Sequence, residues 1–273
     1  MKLLIMPSNL KQTKLHCDGV IIGIKDLSVN MPNYYELKDL KKIKKEIFVA
    51  LNKNMFNSDL KLLEDTLVKL NDHHIKAVIF YDIAVVNLAK RLNLNYDLVW
   101  NQEHMTTNYD TVNFWYKMGA KYSYISSDIT LREMIEIKEN TKSTLLVNLF
   151  GYIPMFDSKR TLLTNYLKTF SLKNDSDKNY LKKEGNTYPI VEDKATTLYS
   201  SFILNGLDES LELNYEYGVL NSFLIDDKNF KKVVNIFKKV NNKNLNTYNK
   251  KLNDMFDNLG KGFFYEDTVY KVK

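Results

Sequence analysis

Apolar runs alternate with helix-period segments along most of the chain: KLLIMP, GVIIGI, EIFVAL, AVIFYDIAVV, DLVWN, YSYIS and TLLVNLF. Short apolar runs separated by amphipathic stretches are the pattern of βαβ units, because a parallel strand is buried on both faces and its return helix on only one. Six or seven strands at this spacing point to a closed α/β barrel of the TIM type rather than an open sheet. Asn57 and Ser58 are candidate caps for a helix whose Leu60, Leu63, Leu67 and Leu70 form one apolar stripe. Thr130-Leu131-Arg132-Glu133 is a capping box, opening a helix through Glu139 with Leu131, Met134 and Ile135 facing inward.

The rhythm breaks after Tyr166. Residues 171–187 (SLKNDSDKNYLKKEGNT) are polar without an apolar period and are expected as an excursion outside the barrel. YPIVED and TTLYSSFI then read as a strand pair, followed by a helix over residues 207–217 ended by Gly218, a last strand in VLNSFLIDD and Lys-Asn-rich helices. The expectation is one barrel-type domain over residues 1–273, with the strand pair and helices from about residue 188 packed on it.

Nine Gly and four Pro beside eighteen Tyr and fourteen Phe exclude a disordered chain. The opening MKLLIMPSNLK is too short for a secretory apolar region, and no run approaches the roughly 18–20 apolar residues of a spanning helix, so a cytoplasmic protein without a membrane partner is expected. A single cysteine, Cys17, cannot make an internal disulfide, nor alone hold an iron-sulfur cluster, which takes about four thiolates. No cofactor is therefore expected, and Cys17 reads as a small apolar filler, with His16 on the opposite face of any strand. The net charge of +6 favours an anionic partner such as tRNA, although the lysines of residues 38–45 and 228–251 lie in helix-like stretches where they equally coat a solvated face.

Candidate chemistry gathers where the strands end, the face that carries ligands in α/β barrels. Asp82 follows the run 77–81 and Asn52 follows EIFVAL; each is a candidate ligand contact, and Asp82 equally a helix cap. Gln102, Glu103 and His104 follow DLVWN directly, with Asn108 just before the next helix. Glu103 and His104 are the candidate catalytic base and acid, while Gln102 and Asn108 are candidate ligand contacts, capping being the competing role for Asn108. Asp128 after YSYIS either points into the mouth or helps to cap the Thr130 helix. Arg160 can grip a carboxylate or phosphate bidentately, or form a surface ion pair. His73-His74 close a helix without metal-ligand spacing, so no metal is expected. The sequence contains no G-x-S-x-G elbow, H-E-x-x-H, glycine-rich phosphate loop or dinucleotide fingerprint.

The ordered set VIIGI, EIFVALN, AVIFYDIAVV, QEHMTTN, MGAKYSYISSDITLREM, GYIPMFDSKRTLLTNY, YPIVEDKATTLYSS and GFFYEDTVYKVK resembles peptidase family U32, the collagenase-like group, over residues 19–270. The resemblance implies a TIM-barrel-type fold and one of two activities: peptidase action, or a part in hydroxylating a tRNA wobble uridine or ubiquinone precursors. Many members carry four cysteines, which in some hold an iron-sulfur cluster; here Thr161 stands where a cysteine is expected. The family's Arg-Glu pair is replaced by Ser127-Asp128, and its Glu and His-Gly by Leu146 and by Phe150 before Gly151. The QEH and FDSKR elements resemble a cysteine-free subgroup that accompanies a larger, cysteine-bearing paralogue. The resemblance thus implies a cytoplasmic barrel that assists tRNA uridine hydroxylation beside such a paralogue, its mouth taking a small anionic metabolite or a flipped base. The alternatives are a peptidase acting through Glu103 and His104, and a non-catalytic binding subunit.

Overall fold

Alternate residues of one strand feed two different cores. In β4 (Glu46–Leu51), Phe48 and Ala50 face one way and Ile47, Val49 and Leu51 the other, and all five are buried. The first set joins Leu4, Ile21, Ile79, Val99, Tyr124, Leu146 and Val219 in a central cluster. The second set meets the helices in a larger outer cluster. Apolar packing on both faces is what a parallel barrel strand requires, and it explains why these strands read as unbroken apolar runs.

The computed structural model describes residues 1–102, 104–173, 179–193 and 195–266. In chain order the strands are β1 (Lys2–Met6), β2 (Gly19–Ile24), a two-residue piece β3 (Tyr34–Tyr35), then β4, β5 (Ala77–Phe80), β6 (Asp97–Asn101), β7 (Tyr122–Tyr124) and β8 (Thr144–Ser158). They continue as β9 (Asn179–Lys183), β10 (Asn186–Glu192), β11 (Thr196–Asn205), β12 (Tyr217–Asn221) and the short β13 (Leu259–Gly260). The neighbour order β12-β1-β2-β4-β5-β6-β7-β8 is parallel throughout and closes on itself, because β12 also pairs with β8 from Tyr217↔Leu146 to Leu220↔Phe150. The result is a closed eight-stranded parallel barrel with helices outside.

The helices are α1 (Leu37–Leu40), α2 (Leu60–Asn71), α3 (Ile83–Leu92), α4 (Tyr109–Lys117) and α5 (Leu131–Glu139), followed by α6 (Leu162–Thr169), α7 (Glu209–Glu212), α8 (Asp227–Lys239) and α9 (Leu245–Asn253). The expected capping box opens α5: Glu133 N–H donates to Thr130 Oγ1 at 3.3 Å and Thr130 N–H to Glu133 Oε2 at 2.7 Å. None of the helices among the described residues is long and apolar enough to cross a membrane.

β8 outruns the barrel. Its far half pairs antiparallel with β11, to which β10 and β9 add, making an arm over the C-terminal ends of the barrel strands. The arm is stapled to the loop after β2, where Asn30 donates to Asp157 Oδ2 at 2.6 Å and the Thr197 hydroxyl lies 2.9 Å from Asn30 Oδ1. It also reaches the loop after β4, with the Lys159 ammonium 4.1 Å from the Phe56 ring centroid.

Several expected elements shift for identifiable reasons. The run AVIFYDIAVV divides at Asp82 into β5 and α3, because that carboxylate caps a helix the apolar pattern could not delimit. Helix α2 hides Leu63, Leu67 and Leu70 but leaves Leu60 exposed, since a 3-10 turn over Asn57–Asp59 precedes it. In α5 the inward set is Leu131, Met134 and Ile137, and Ile135 is exposed. The helix expected over residues 207–217 is only the single turn α7, and Tyr217 and Gly218 open the closing strand β12. MFDSKR, expected beyond a strand end, begins on β8 itself. Of residues 38–45 only the first turn is helical. Within the excursion, residues 179–187 form the β9–β10 hairpin, and residues 174–178 lie outside the described residues.

Candidate functional site

Side-chain alternation carries the inward face of each barrel strand one position further, to the residue at its C-terminal end. After Ala50 that residue is Asn52, after Val99 it is Asn101, after Leu146 it is Asn148, and after Val219 it is Asn221. Four asparagines therefore stand at the barrel mouth above a floor that includes Met6, Ile21, Ala50 and Ile79. Tyr152, Ile153 and Pro154 of the arm roof the same cavity, whose volume is about 50 Å³. Gly151 makes the roof possible: its φ is +123°, and a Cβ there would meet Asn221 Cβ at 2.7 Å and its carbonyl oxygen at 2.8 Å.

The four amides are used differently. Asn52 clamps the β2 loop, its Oδ1 accepting from Val29 N–H at 3.0 Å and its Nδ2 donating to Val29 O at 2.9 Å. Asn148 accepts from the Tyr124 hydroxyl at 2.5 Å and donates to Ser127 Oγ at 2.9 Å. Asn221 accepts from Phe223 N–H at 2.9 Å, which shapes the turn after β12. Asn101 is 8% exposed, lines the cavity, and its side chain has no hydrogen-bond partner among the described residues.

A hydrogen-bonded His–Asp pair stands at the rim, where His104 Nδ1 lies 2.6 Å from Asp128 Oδ2. The carboxylate fixes the ring so that Nδ1 donates, the orientation that leaves Nε2 as the outward-facing nitrogen. Asp128 N–H donates to Ser126 Oγ at 3.1 Å, so Asp128 belongs to the mouth while Thr130 and Glu133 cap α5 without it. His104, Ser127, Asp128 and Ile153 also border a second, larger cleft of about 930 Å³. Arg132, Met155, Phe202 and Phe263 line that cleft further out.

The expected site residues separate into groups. Asn52, His104 and Asp128 meet at the mouth. Asp82 is a structural cap: Oδ1 accepts from Ala84 N–H and Oδ2 from Met55 N–H, both at 2.9 Å. Asn108 caps α4 through Thr111 N–H at 2.9 Å. Gln102 holds its turn through its backbone carbonyl, which accepts from Met105 and Thr106. Arg160 is exposed at the end of the arm, away from the residues that line the mouth. Glu103, the expected catalytic base, lies outside the described residues. Asn101, Asn148, Asn221 and Tyr124 were not singled out from sequence, although EIFVALN, DLVWN, TLLVN and YGVLN all end an apolar strand on asparagine, and that recurrence is the legible signal.

Among the described lining residues of the mouth Asp128 is the only carboxylate and His104 the only basic side chain, and none is Lys or Arg. Such a surface suits a neutral, planar edge of alternating donors and acceptors better than an anion, which would need a cation that Arg160 does not bring there. Cys17 precedes β2, at the opposite end of the barrel, with its thiol buried and 3.2 Å from Lys45 Nζ. Burial pushes its pKa up, the Lys45 ammonium only partly countering. One buried thiol does not fit a cluster held by about four thiolates. The described residues contain no group of three His, Cys, Asp or Glu able to hold a metal ion.

The sequence profile of peptidase family U32 matches residues 16–268. The chain belongs to peptidase family U32. Among its relatives in this family, tRNA hydroxylation protein P2 of Bacillus subtilis (strain 168) is 26% identical over 250 residues, 82% of this chain and 81% of P2. tRNA hydroxylation protein P1 of the same organism is 24% identical over 178 residues, 61% of this chain but only 42% of P1. The solved structure of the U32 peptidase Mk0906 superposes with a TM-score of 0.52 over 81% of this chain and 92% of that one, at 11% identity, and so shares the barrel fold.

Proposed function

We propose that this U32 protein takes part in hydroxylating the wobble uridine of tRNA, and that its amide-lined mouth is the site through which it acts. The observation that carries the reading is the similarity to tRNA hydroxylation protein P2, which runs over four-fifths of both chains. The net charge of +6 supports a polyanionic partner. A single buried thiol supports a division of labour in which this chain binds no cluster and a cysteine-bearing U32 paralogue supplies the redox chemistry, both acting in the cytoplasm. The test is nucleoside analysis of tRNA from cells with and without the gene. Loss of 5-hydroxyuridine derivatives, restored by the wild-type gene, is expected; an unchanged profile overturns the reading.

A second reading, peptidase action, draws on the His104–Asp128 pair as a general-base arrangement. It requires cleavage of casein or gelatin by the purified protein, lost in His104→Ala.

A further inference from the structure

Asn101 is the one member of the asparagine layer whose amide has nothing to bond within the described chain. Its 8% exposure leaves it nine-tenths buried, and it faces the cavity because Val99, two residues earlier on β6, faces the barrel interior. The amide atoms themselves are not sealed from the cavity, so a mostly buried side chain presents an uncommitted donor and acceptor to whatever fills it. Asn52, equally buried in the same layer, is fully committed to Val29. Burial in the layer therefore does not by itself explain the unsatisfied amide.

An asparagine amide presents one donor and one acceptor side by side, which complements a cyclic imide or amide edge. Uracil offers that edge as the N3–H donor beside a carbonyl oxygen. The space beneath the roof, about 50 Å³, admits the edge of a planar ring and not a whole nucleotide. The rest of a nucleotide has room in the adjoining 930 Å³ cleft, entered past His104, Asp128 and Ile153. That cleft holds Arg132, which is exposed and can face a phosphate, beside the carboxylates of Asp128 and Glu133, which are engaged by His104 and by Thr130 N–H, while the floor of the mouth offers neutral amides.

We infer that Asn101 reads the imide edge of a uracil base, with the nucleotide's sugar and phosphate lying in the cleft beside Arg132. This rests on the uridine reading of the mouth and makes it specific to one residue and one edge of the base. Asn101 acts here as a specificity determinant that touches the base.

The test is binding of uridine 5′-monophosphate and its N3-methyl analogue to the purified protein, wild type and Asn101→Leu, followed by calorimetry or protein NMR at millimolar ligand. A bidentate amide-to-base pair corresponds to roughly tenfold or more in affinity. Methylation of N3 is therefore expected to weaken binding to wild type by about that factor, and Asn101→Leu to bind both ligands equally and as weakly as wild type binds the analogue. Comparison of the two ligands on wild type needs no variant, so a folding defect cannot mask the result. Equal affinity of wild type for both ligands, or no binding of either, overturns the inference. Discrimination at N3 in a strain whose tRNA nucleosides do not depend on the gene would keep Asn101 as a uracil reader and remove the hydroxylation reading. Full restoration of 5-hydroxyuridine derivatives by Asn101→Leu in a strain that does depend on the gene would do the reverse.

Discussion

Asn52 and Asn101 have the same side chain, the same 8% exposure and equivalent places at the ends of barrel strands β4 and β6, yet replacing each by leucine is expected to change stability very differently. Leucine is nearly isosteric with asparagine, so the difference isolates the hydrogen bonds. At Asn52 the change removes two bonds of 3.0 and 2.9 Å and strands the half-buried N–H and carbonyl of Val29. At about 1 kcal/mol for each bond plus a share of the desolvation of the orphaned groups, the loss is about 2–3 kcal/mol. For a chain of this size that corresponds to a fall in Tm of roughly 5–10 °C. At Asn101 no bond to a described residue is lost, and an amide that opens onto the cavity becomes an apolar group, so stability is expected to stay within about 1 kcal/mol of wild type. Thermal and urea denaturation of the ligand-free variants, followed by circular dichroism, measures both. If Asn101→Leu loses as much stability as Asn52→Leu, Asn101 is a structural residue and the argument for a ligand at its amide collapses.

Gly151→Ala combines a φ of +123° with a Cβ placed 2.7–2.8 Å from Asn221, and is expected to destabilise by about 3 kcal/mol or to displace the roof; a variant melting with the wild type would contradict the close approach of β8 to β12. Stability is expected to fall on acidification, because burial favours the neutral form of Asp18 and Glu216 but hydrogen bonds and ion pairs outweigh it and hold both pKa values below normal. Asp18 is held by Lys238 and Leu3 N–H, and Glu216 by Leu145 N–H and Lys138. Groups depressed in the folded state contribute stability above their unfolded pKa and lose it as pH falls through the folded one, so the loss belongs below about pH 5. Asp18→Asn is expected to cost about 1 kcal/mol at neutral pH, given its partial exposure, and to flatten the acid limb of a stability-pH curve; an unchanged limb would place the acid sensitivity elsewhere.

Strand identity was the legible part of the fold, because fully buried parallel strands such as AVIF and TLLV are continuous apolar runs that need no partner to be recognised. Closure with eight strands was less so. Tyr217 and Gly218 read as the end of a helix because the apolar run after Gly218 looks like a separate strand, and only the pairing of β12 with both β1 and β8 makes them strand residues. The arm was split at its middle for a similar reason: GYIPMFDS looks like a loop when the strand is expected to end with the barrel. At the site, the strand-end rule found Asn52, His104 and Asp128, which line the mouth. It gave equal weight to Asp82 and Asn108, which the helices that follow them consume as caps. Sequence cannot tell a cap from a ligand contact at a strand-helix junction, since both need an oxygen at the same place. The asparagine layer was visible as a recurrence, but its division into three committed amides and one unpartnered amide depends on distances that only the folded chain supplies.

The central claim is tested most directly by quantifying 5-hydroxyuridine-derived nucleosides in digested total tRNA from a deletion strain carrying an empty vector, the wild-type gene or Asn101→Leu. The account predicts loss with the empty vector, recovery with wild type, and no recovery with a stably folded Asn101→Leu. Hydroxylated nucleosides at the wild-type level in the deletion strain would contradict it.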